Sequence, residues 1–274
     1  MSSSSFGREA DVAALSATEA GGSELRDFWT LLKPNVMQLV VLTGWVGLYL
    51  APDRLHPLLA FTAILCIALG AGASAAINNW YDVDIDRRMA RTRLRPTASG
   101  RIEPAEALGT GVALAILSVM TMGLAVNWLA ATLLAVTIAF YVFVYTMWLK
   151  RRTPQNIVIG GAAGAFQAMI GWASATGEIG LRPVLLFLIV FFWTPPHTWA
   201  LAFRYKEDYK QADVPMLPVV MEPPAVAWRI MIYTVITVAV SLVLWPVAHT
   251  GWLYPAVALL AGGWLIVESV QLLR

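Results

Sequence analysis

Three polar side chains near residue 80 have a spacing that could hold a metal ion. Asn78, Asp82 and Asp86 are four residues apart, and residues four apart on an α-helix lie on one face, one turn above another. They would form a column of oxygen ligands, here called the polar column, and Asp84 would point away from it. Oxygen ligands without histidine or cysteine beside them favour Mg²⁺, which is usually completed by waters and substrate phosphates.

The acidic residues also have a simpler explanation, as part of a solvated loop. Arg87, Arg88 and Arg91 follow them closely enough to form local ion pairs. A second segment, YKEDYKQAD at residues 205–213, again places acids and cations at a predicted helix end. Two such clusters facing each other would form a cleft for a metal-bound polyanion, and this favours the metal site over the plain loop.

Basic side chains near the polar column could bind that polyanion directly, since guanidinium groups bind phosphate oxygens through two parallel hydrogen bonds. The candidates are Arg91, Arg95 and the run KRR at residues 150–152. Each of them is equally explained as a charge that orients a membrane protein. Pro96 indicates an ordered loop around Arg91 and Arg95, which makes these two the stronger candidates.

The elements that carry these residues are predicted to be membrane-spanning helices, which makes the fold an all-α, polytopic membrane helical bundle. The chain has 274 residues, of which 58% are hydrophobic and 13% charged, whereas soluble domains have about 25% charged residues. A helix that crosses ~30 Å of hydrocarbon needs roughly 20 mostly apolar residues. Eight stretches of that kind are present: 34–52, 57–79, 105–125, 127–147, 156–175, 183–203, 225–247 and 252–272.

The distribution of basic residues predicts the orientation of this bundle. With the amino terminus in the cytoplasm, 17 of the 19 lysines and arginines lie on the cytoplasmic side, and only Arg54 and Arg182 lie opposite. Lysine and arginine accumulate in the cytoplasmic loops of membrane proteins. The net charge of +2, without a long basic stripe, makes nucleic acid a poor candidate for a partner.

The loops predict how the chain is organised. Residues 1–28 contain five acidic residues and no apolar core, so we predict a disordered cytoplasmic tail rather than a signal or transit peptide. Residues 29–274 are predicted to form a single transmembrane domain. The long loops follow the second and the sixth predicted helix, which indicates two four-helix halves around a central cleft, where the functional site of such repeats usually lies.

Several motifs resemble, in the right order, those of the intramembrane aromatic prenyltransferase superfamily. They are NNWYDVDID (78–86), RTRLRP (91–96), YT (145–146), LKRRTPQNIVIGGAAGA (149–165), WTPPH (193–197), DY (208–209) and PMLPV (215–219). The match covers nearly the whole span from the first to the seventh predicted helix, and it is strongest with members that modify heme. The resemblance implies transfer of the farnesyl group of farnesyl diphosphate to a vinyl carbon of heme B, with heme as a substrate rather than a fixed cofactor.

The resemblance also implies roles for single residues. The implied catalytic residues are Asp82, Asp86, Asp208 and Lys150. The implied ligands of Mg²⁺ are Asn78, Asp82, Asp86 and Asp208. The implied ligands of the diphosphate are Arg91, Arg95, Lys150 and Arg151.

Three further residues have an implied role and a simpler alternative. Tyr145 and Tyr209 would line the carbocation or the diphosphate, or else they pack in the core or anchor the bundle at the interface. His197 would face heme, because Pro195-Pro196 is expected to break its helix at a cavity. The alternative for His197 is a hydrogen bond to a neighbouring helix.

The chain departs from the family pattern in three places. Gln167-Ala168 stands where members often have two prolines, so the fifth predicted helix is expected to be less kinked. Ala212 follows Asp208 by four residues, where some members have an acid, which leaves the ligands of a second metal ion open. The superfamily usually has nine helices, so a ninth helix is expected to be missing from this sequence.

Two other functions fit part of the sequence. A prenyltransferase for another acceptor, a quinone precursor or chlorophyllide, would share the polar column, but the segments WTPPH and PMLPV favour heme. A heme transporter without catalysis could also have two halves and buried charge, but it would not need acids at metal-binding spacing beside an arginine loop. The expected partners are farnesyl diphosphate, heme B, the lipid bilayer and a heme A synthase, in a bacterial inner membrane.

Overall fold

The computed structural model describes residues 24–273, and all regular secondary structure in this range is helical. The α-helices are, in chain order, α1 (Leu25–Leu31), α2 (Pro34–Leu50), α3 (Pro57–Tyr81), α4 (Val83–Arg88), α5 (Pro104–Thr121), α6 (Trp128–Ala139), α7 (Asn156–Thr176), α8 (Leu181–Arg204), α9 (Lys206–Gln211), α10 (Leu217–Val220), α11 (Pro223–Ala248) and α12 (Leu253–Gln271). Two π-helical segments extend α5 and α6: Met122–Val126 and Phe140–Leu149.

Seven helices within residues 24–273 are long and apolar enough to cross a membrane. They are α3, α5 and α6 with their π-helical extensions, α7, α8, α11 and α12. The first predicted span has a different form, because α2 has only 17 residues and reaches spanning length only together with α1, from which it is bent by 54°. The all-α, multi-pass architecture is confirmed, and each predicted span begins and ends within two residues of an observed helix.

Proline begins four of the membrane helices. Pro34, Pro57, Pro104 and Pro223 are the first residues of α2, α3, α5 and α11. The N–H groups in the first turn of a helix have no acceptor within the helix, so a residue without an N–H loses nothing there. These prolines explain why the starts of the spans could be predicted closely.

The predicted amino-terminal tail ends too late. Residues 1–23 lie outside the described residues, but residues 25–28 belong to α1, so the boundary at residue 28 is wrong. Two contacts hold this helix to the rest of the protein. Asp27 pairs with Arg101 at 2.8 Å, and Leu31 is fully buried. Both contacts are made to distant parts of the chain. They could not be predicted from the neighbouring residues, since Leu25 and Trp29 are exposed.

Helix α7 packs against helices that precede it in the chain, α2 and α6, and against α8, which follows it. Its crossing with α2 is very close. A Cβ atom on Gly171 would lie 1.9 Å from the carbonyl oxygen of Gly44, and one on Gly47 would lie 2.0 Å from that of Ala168. Small residues permit such an approach, and van der Waals packing then stabilises the helix pair in a membrane. The division into two four-helix halves stays a prediction.

The expected break in the sixth span is absent. Helix α8 stays helical through Pro195 and Pro196 up to Arg204. Each proline removes one hydrogen bond of the helix, but membrane helices tolerate this when neighbouring groups satisfy the freed carbonyls. The prediction of a break before His197 is therefore wrong. Helix α7 is also continuous through Gln167-Ala168.

Substitution of Gly171 tests the crossing of α2 and α7. Gly171→Ala is expected to destabilise the protein by about 1–3 kcal/mol, because the new methyl group forces the two backbones apart. Thermal unfolding of the purified protein in detergent measures the effect. Gly109→Ala on α5 is the control, since nothing lies within 4 Å of its Cβ position. Equal stability of the two variants would contradict the close crossing.

Candidate active site

The polar column is present, although the helix that carries it is interrupted. Helix α3 ends at Tyr81 and α4 begins at Val83, with Asp82 between them at φ −95° and ψ 13°. The hydrogen bonds between turns continue through this point. The N–H of Asp82 donates to the carbonyl of Asn78 at 3.0 Å, and that of Asp86 to the carbonyl of Asp82 at 2.8 Å. The three side chains therefore stay one turn apart, and each is at most 2% exposed.

Three cations neutralise the two buried carboxylates of the column. Lys150 donates to Oδ2 of Asp82, and Nη2 of Arg151 lies 3.4 Å from Oδ1 of the same group. Nη1 of Arg95 donates to both carboxylate oxygens of Asp86, at 2.9 and 2.7 Å. An unpaired buried charge costs several kcal/mol. The ion pairs are therefore a condition for burying the acids.

The arginines that directly follow the column are not its partners. Arg87 donates to the carbonyl of Ala98 at 3.1 Å, and Arg88 pairs with the exposed Asp213 at 3.1 Å. The partners come instead from residues 95, 150 and 151. The explanation of a solvated loop with local ion pairs is therefore wrong for the buried acids.

Asp84 binds one of these cations from outside the column. Arg151 donates to its two carboxylate oxygens at 2.8 and 2.7 Å and lies 4.8 Å from the ring centre of Tyr81. The hydrogen bonds from Arg151 lower the pKa of the Asp84 carboxyl, and Asp84 in turn raises the pKa of the Arg151 guanidinium. Asp84 thus holds in place the guanidinium that reaches Asp82.

A fourth cation reaches the column from the bend between α1 and α2. Nζ of Lys33 donates to Oδ1 of Asn78 at 2.7 Å. The amide nitrogen of Asn78 donates to Oδ2 of Asp82 at 2.6 Å and to the hydroxyl of Thr146 at 3.3 Å. Since Lys150 donates to the same Oδ2, a continuous hydrogen-bonded chain runs from one lysine to the other. Neither Lys33 nor Thr146 was predicted as part of the site.

The π-helical segment Phe140–Leu149 brings Lys150 to the column. Its hydrogen bonds join residues five apart, as between the N–H of Lys150 and the carbonyl of Tyr145 at 2.9 Å, and π-helical turns are frequent at functional sites. The rings of Tyr141 and Tyr145 lie 5.2 Å apart in this segment. The segment therefore places two aromatic rings and a cation beside the acids.

Tyr145 and Tyr209 lie at the edge of one buried apolar cluster, which also contains Trp199 and Val214. The structure thus brings the two tyrosines to the same region, Tyr145 from the π-helical segment after α6 and Tyr209 from α9. Packing against this cluster agrees with the simpler explanation for both residues, and their role in the site stays a prediction.

The loop after α4 is ordered, as Pro96 indicated. Pro96 and Thr97 are buried, and the hydroxyl of Thr92 donates to the carbonyl of Asp86 at 3.1 Å. These contacts hold the loop against the column, so that Arg95 reaches Asp86.

The second acid cluster, residues 205–213, meets this loop. The carboxylate of Asp208 accepts a hydrogen bond from the backbone N–H of Arg91 at 3.1 Å, and the guanidinium of Arg91 lies 5.3 Å from the ring centre of Tyr205. Within residues 24–273, no three acidic, histidine or cysteine side chains converge as ligands of one metal ion. Asp208 is therefore close to the loop beside the polar column, and its role as a metal ligand stays a prediction.

A cavity of about 130 Å³ opens beneath the polar column. This column cavity lies between α2, α3, α6 and α7, and it is mostly apolar. Lys33 lines one end of it, and Ser74, one turn before Asn78 on α3, lies directly below the column. Gln167 lines it from about three turns into α7. Its Oε1 is buried and has no hydrogen-bond partner among the described residues.

His197 lies away from the polar column. Its ring stacks on Trp193 with 4.4 Å between the ring centres, and it lines a second cavity of about 420 Å³ between α8, α11 and α12. Thr234, Glu268 and Ser269 contribute polar groups to this cavity. None of the described residues that line it belongs to the column or to its cations, so the structure does not bring His197 to the acids.

Comparison with known proteins identifies the family of this chain. The model of the UbiA prenyltransferase family matches residues 40–274, and the chain belongs to that family. It is 54% identical over 257 residues to a protoheme IX farnesyltransferase of Rhodopseudomonas palustris, over 94% of this chain and 81% of that protein. It is also 54% identical over 266 residues to a protoheme IX farnesyltransferase of Parvibaculum lavamentivorans, over 97% of this chain and 83% of that protein.

A solved structure shares the fold. The UbiA homolog from Archaeoglobus fulgidus bound to DMAPP and Mg²⁺ has a TM-score of 0.72 with 20% sequence identity, over 89% of this chain and 86% of that one. At this level of identity the likeness concerns the fold. It confirms the helical membrane architecture of the family for this chain.

Substitution of Gly160 tests the position of Tyr145. A Cβ atom on Gly160 would lie 2.2 Å from Cδ2 of the Tyr145 ring, so Gly160→Ala is expected to displace the ring and to lower the rate of prenyl transfer about tenfold or more. The rate is measured per folded protein in detergent. In a Tyr145→Ala background the same substitution is expected to cause little further loss of rate, because both changes act on one contact. An equally large effect in that background would contradict this explanation.

Proposed function

We propose that this protein transfers the farnesyl group of farnesyl diphosphate to a vinyl carbon of protoheme IX (heme B) and releases diphosphate. The observation that carries the proposal is the buried polar column, whose acids are paired with cations directly above an apolar cavity. The two named relatives with 54% identity are protoheme IX farnesyltransferases. Their names support the choice of both substrates.

The residues of the polar column fit Mg²⁺. Oxygen ligands are available on one side of successive helical turns: Oδ1 of Asn78 and the carboxylates of Asp82 and Asp86. Mg²⁺ prefers such ligands together with waters and phosphate oxygens. Asp208, in the neighbouring loop, is the proposed additional ligand. Bound Mg²⁺ would neutralise the diphosphate and so make it a better leaving group.

The cations of the site would bind the diphosphate itself. Lys150, Arg151 and Arg95 neutralise the acids in the structure. When a metal-bound diphosphate takes over the carboxylates, phosphate oxygens become available to the same cations, and charge-assisted hydrogen bonds of this kind are strong. Each charge therefore keeps a partner during binding. Arg91, exposed in the loop after α4, would bind the outer phosphate.

The column cavity would hold the prenyl chain and protect the cation that forms on it. Departure of diphosphate leaves a positive charge on an allylic carbon, which water would quench. A cavity walled by apolar side chains keeps water away from that carbon. Tyr141 lines the cavity and Tyr145 lies beside it, so aromatic faces are available to stabilise the charge. Tyr209 is proposed to close this region from α9.

Heme is the proposed acceptor and His197 its proposed contact. The cavity of His197 combines an aromatic stack with polar groups, which suits a large ring with polar substituents. A quinone precursor or chlorophyllide is the alternative acceptor, and the names of the relatives favour heme. A heme A synthase, which would take up the membrane-bound product, is a further proposed partner.

We propose that the charged end of the bundle faces the cytoplasm and that the protein lies in a bacterial inner membrane. The sequence supports this orientation, because the predicted topology puts 17 of the 19 lysines and arginines on the cytoplasmic side. A site at this end is accessible to the charged head of farnesyl diphosphate, while its chain can remain in the apolar part of the bundle.

Substitution of Asp82 tests the proposed function. Asp82→Asn is expected to lower Mg²⁺-dependent release of diphosphate from farnesyl diphosphate, with heme B present, by about a hundredfold or more. The amide keeps the shape of the side chain but loses the charge that a metal ion needs. Asp86→Asn is expected to have the same effect. Released diphosphate is measured with purified protein over a Mg²⁺ titration.

Asp213→Asn is the matched control for this experiment. Asp213 is exposed and pairs with Arg88, so its variant is expected to keep the activity of the unchanged protein. The folded protein could instead transport heme or farnesyl diphosphate across vesicle membranes and leave the diphosphate intact when both substrates and Mg²⁺ are supplied. That result would contradict the enzymatic function and support the transporter.

Substitution of Arg95 tests its contact with the diphosphate. Removing the charge would leave Asp86 buried without its partner, so Arg95→Lys is the better variant. It is expected to lower the apparent affinity for farnesyl diphosphate about tenfold, because lysine lacks the planar fork of nitrogens. Arg93→Lys, at an exposed position of the same loop, is the control. If the two variants bound farnesyl diphosphate with equal affinity, the proposed contact of Arg95 with the diphosphate would be contradicted.

A further inference from the structure

Lys33 has an unusual backbone conformation for its place in the chain. It is left-handed, at φ 54° and ψ 63°, in the bend between α1 and α2, and such a conformation costs a residue with a side chain roughly 1–2 kcal/mol. Pro34 follows and disfavours the helical conformation at Lys33. The bend turns the side chain into the bundle, where its Nζ donates to Asn78 at 2.7 Å.

The ammonium group of Lys33 lies at the boundary between charged and apolar regions. The side chain lines the column cavity together with Val36, Met37 and Tyr141, while its Nζ contacts the first member of the polar column. A prenyl diphosphate has the same division, with an apolar chain joined to a charged head by one carbon–oxygen bond. If the chain occupies the cavity and the head meets the column, that bond lies next to Lys33.

Lys33 and a metal ion would compete for one atom. Oδ1 of Asn78 accepts the hydrogen bond from Lys33, and the same oxygen is the proposed metal ligand, because the amide nitrogen is engaged by Asp82 at 2.6 Å. A metal ion on this oxygen would leave the ammonium without its partner, close to the charges of Arg95 and Lys150. A buried cation without a partner is unstable, so it would need a new anion in the same place.

Building on the proposed function, we propose that Lys33 is a direct ligand of the diphosphate of the prenyl substrate, at the oxygen that joins the first prenyl carbon to phosphorus. When that carbon–oxygen bond breaks, its electron pair stays on the oxygen. The ammonium group donates a hydrogen bond to this oxygen as its negative charge grows, and no proton needs to be transferred. Lys33 therefore stabilises the departing diphosphate.

Lys33→Gln separates the charge of this residue from its hydrogen bond. The glutamine side chain is one bond shorter than that of lysine and keeps an N–H donor for Asn78, but the positive charge is gone. With Mg²⁺ present, the variant is expected to bind farnesyl thiodiphosphate about tenfold or more weakly, as measured by titration calorimetry in detergent. Its affinity for farnesol, which has no charged head, is expected to be unchanged. Lys33→Arg, which keeps the charge, is expected to retain most of the affinity for the diphosphate analogue.

Lys210→Gln is the matched control, since Lys210 is an exposed lysine on α9. A folded Lys33→Gln protein that binds farnesyl thiodiphosphate as tightly as this control would overturn the proposal. If the unchanged protein itself does not bind the analogue with Mg²⁺, the proposed function fails instead, so the two failures are distinguishable.

A second measurement needs no variant. Reductive methylation of the unchanged protein, followed by mass spectrometry, reports which lysines are accessible. Farnesyl thiodiphosphate with Mg²⁺ is expected to protect Lys33 from methylation and to leave Lys210 unaffected. Equal methylation of Lys33 with and without the analogue would count against a direct contact, even if Lys33→Gln does not fold.

Discussion

The pairing of two buried carboxylates with cations is the interaction on which the charged end of this protein depends. Asp82 and Asp86 are almost completely buried, and removing one partner of such a pair typically costs about 3–5 kcal/mol. The partners come from separate elements: Arg95 from the loop after α4, and Lys150 from the end of the π-helical segment. The same contacts that neutralise the acids therefore also fasten these elements to α4 and to its junction with α3.

This arrangement explains how a stable membrane protein can keep a concentrated set of charges ready for an anionic substrate. Without substrate, the acids and the cations satisfy each other. A metal-bound diphosphate would bring two positive charges for the acids and several negative ones for the cations, so that partners are exchanged and few charges are left unpaired. In this proposal, the side chains that satisfy the energetic demand of folding would also satisfy that of binding.

Much of the fold and part of the site could be predicted from the sequence. The spans follow from the length of apolar stretches, and prolines mark four of their starts. The polar column follows from a spacing of four, which survives the break at Asp82 because the hydrogen bonds between turns continue.

Features that depend on distant contacts could not be predicted in this way. Lys33 is 45 residues from Asn78 in sequence, and only the bend between α1 and α2 brings them together. Its place just before the first span, on the charged side, was the only available signal. The π-helical segment has no characteristic composition. The break expected in α8 did not form, because prolines end helices less reliably in a membrane bundle than in water.

The close crossing of α2 and α7 limits the space available to a substrate. Val40 and Gln167 line the column cavity, and the touching backbone positions Gly44 and Gly171 each lie four residues, about one turn, further along their helices. The cavity is therefore sealed at that depth between these two helices. If the prenyl chain occupies this cavity as proposed, an isoprenoid too long for it would have to bend sideways toward the lipid. The two backbones would then limit the chain length without any dedicated side chain.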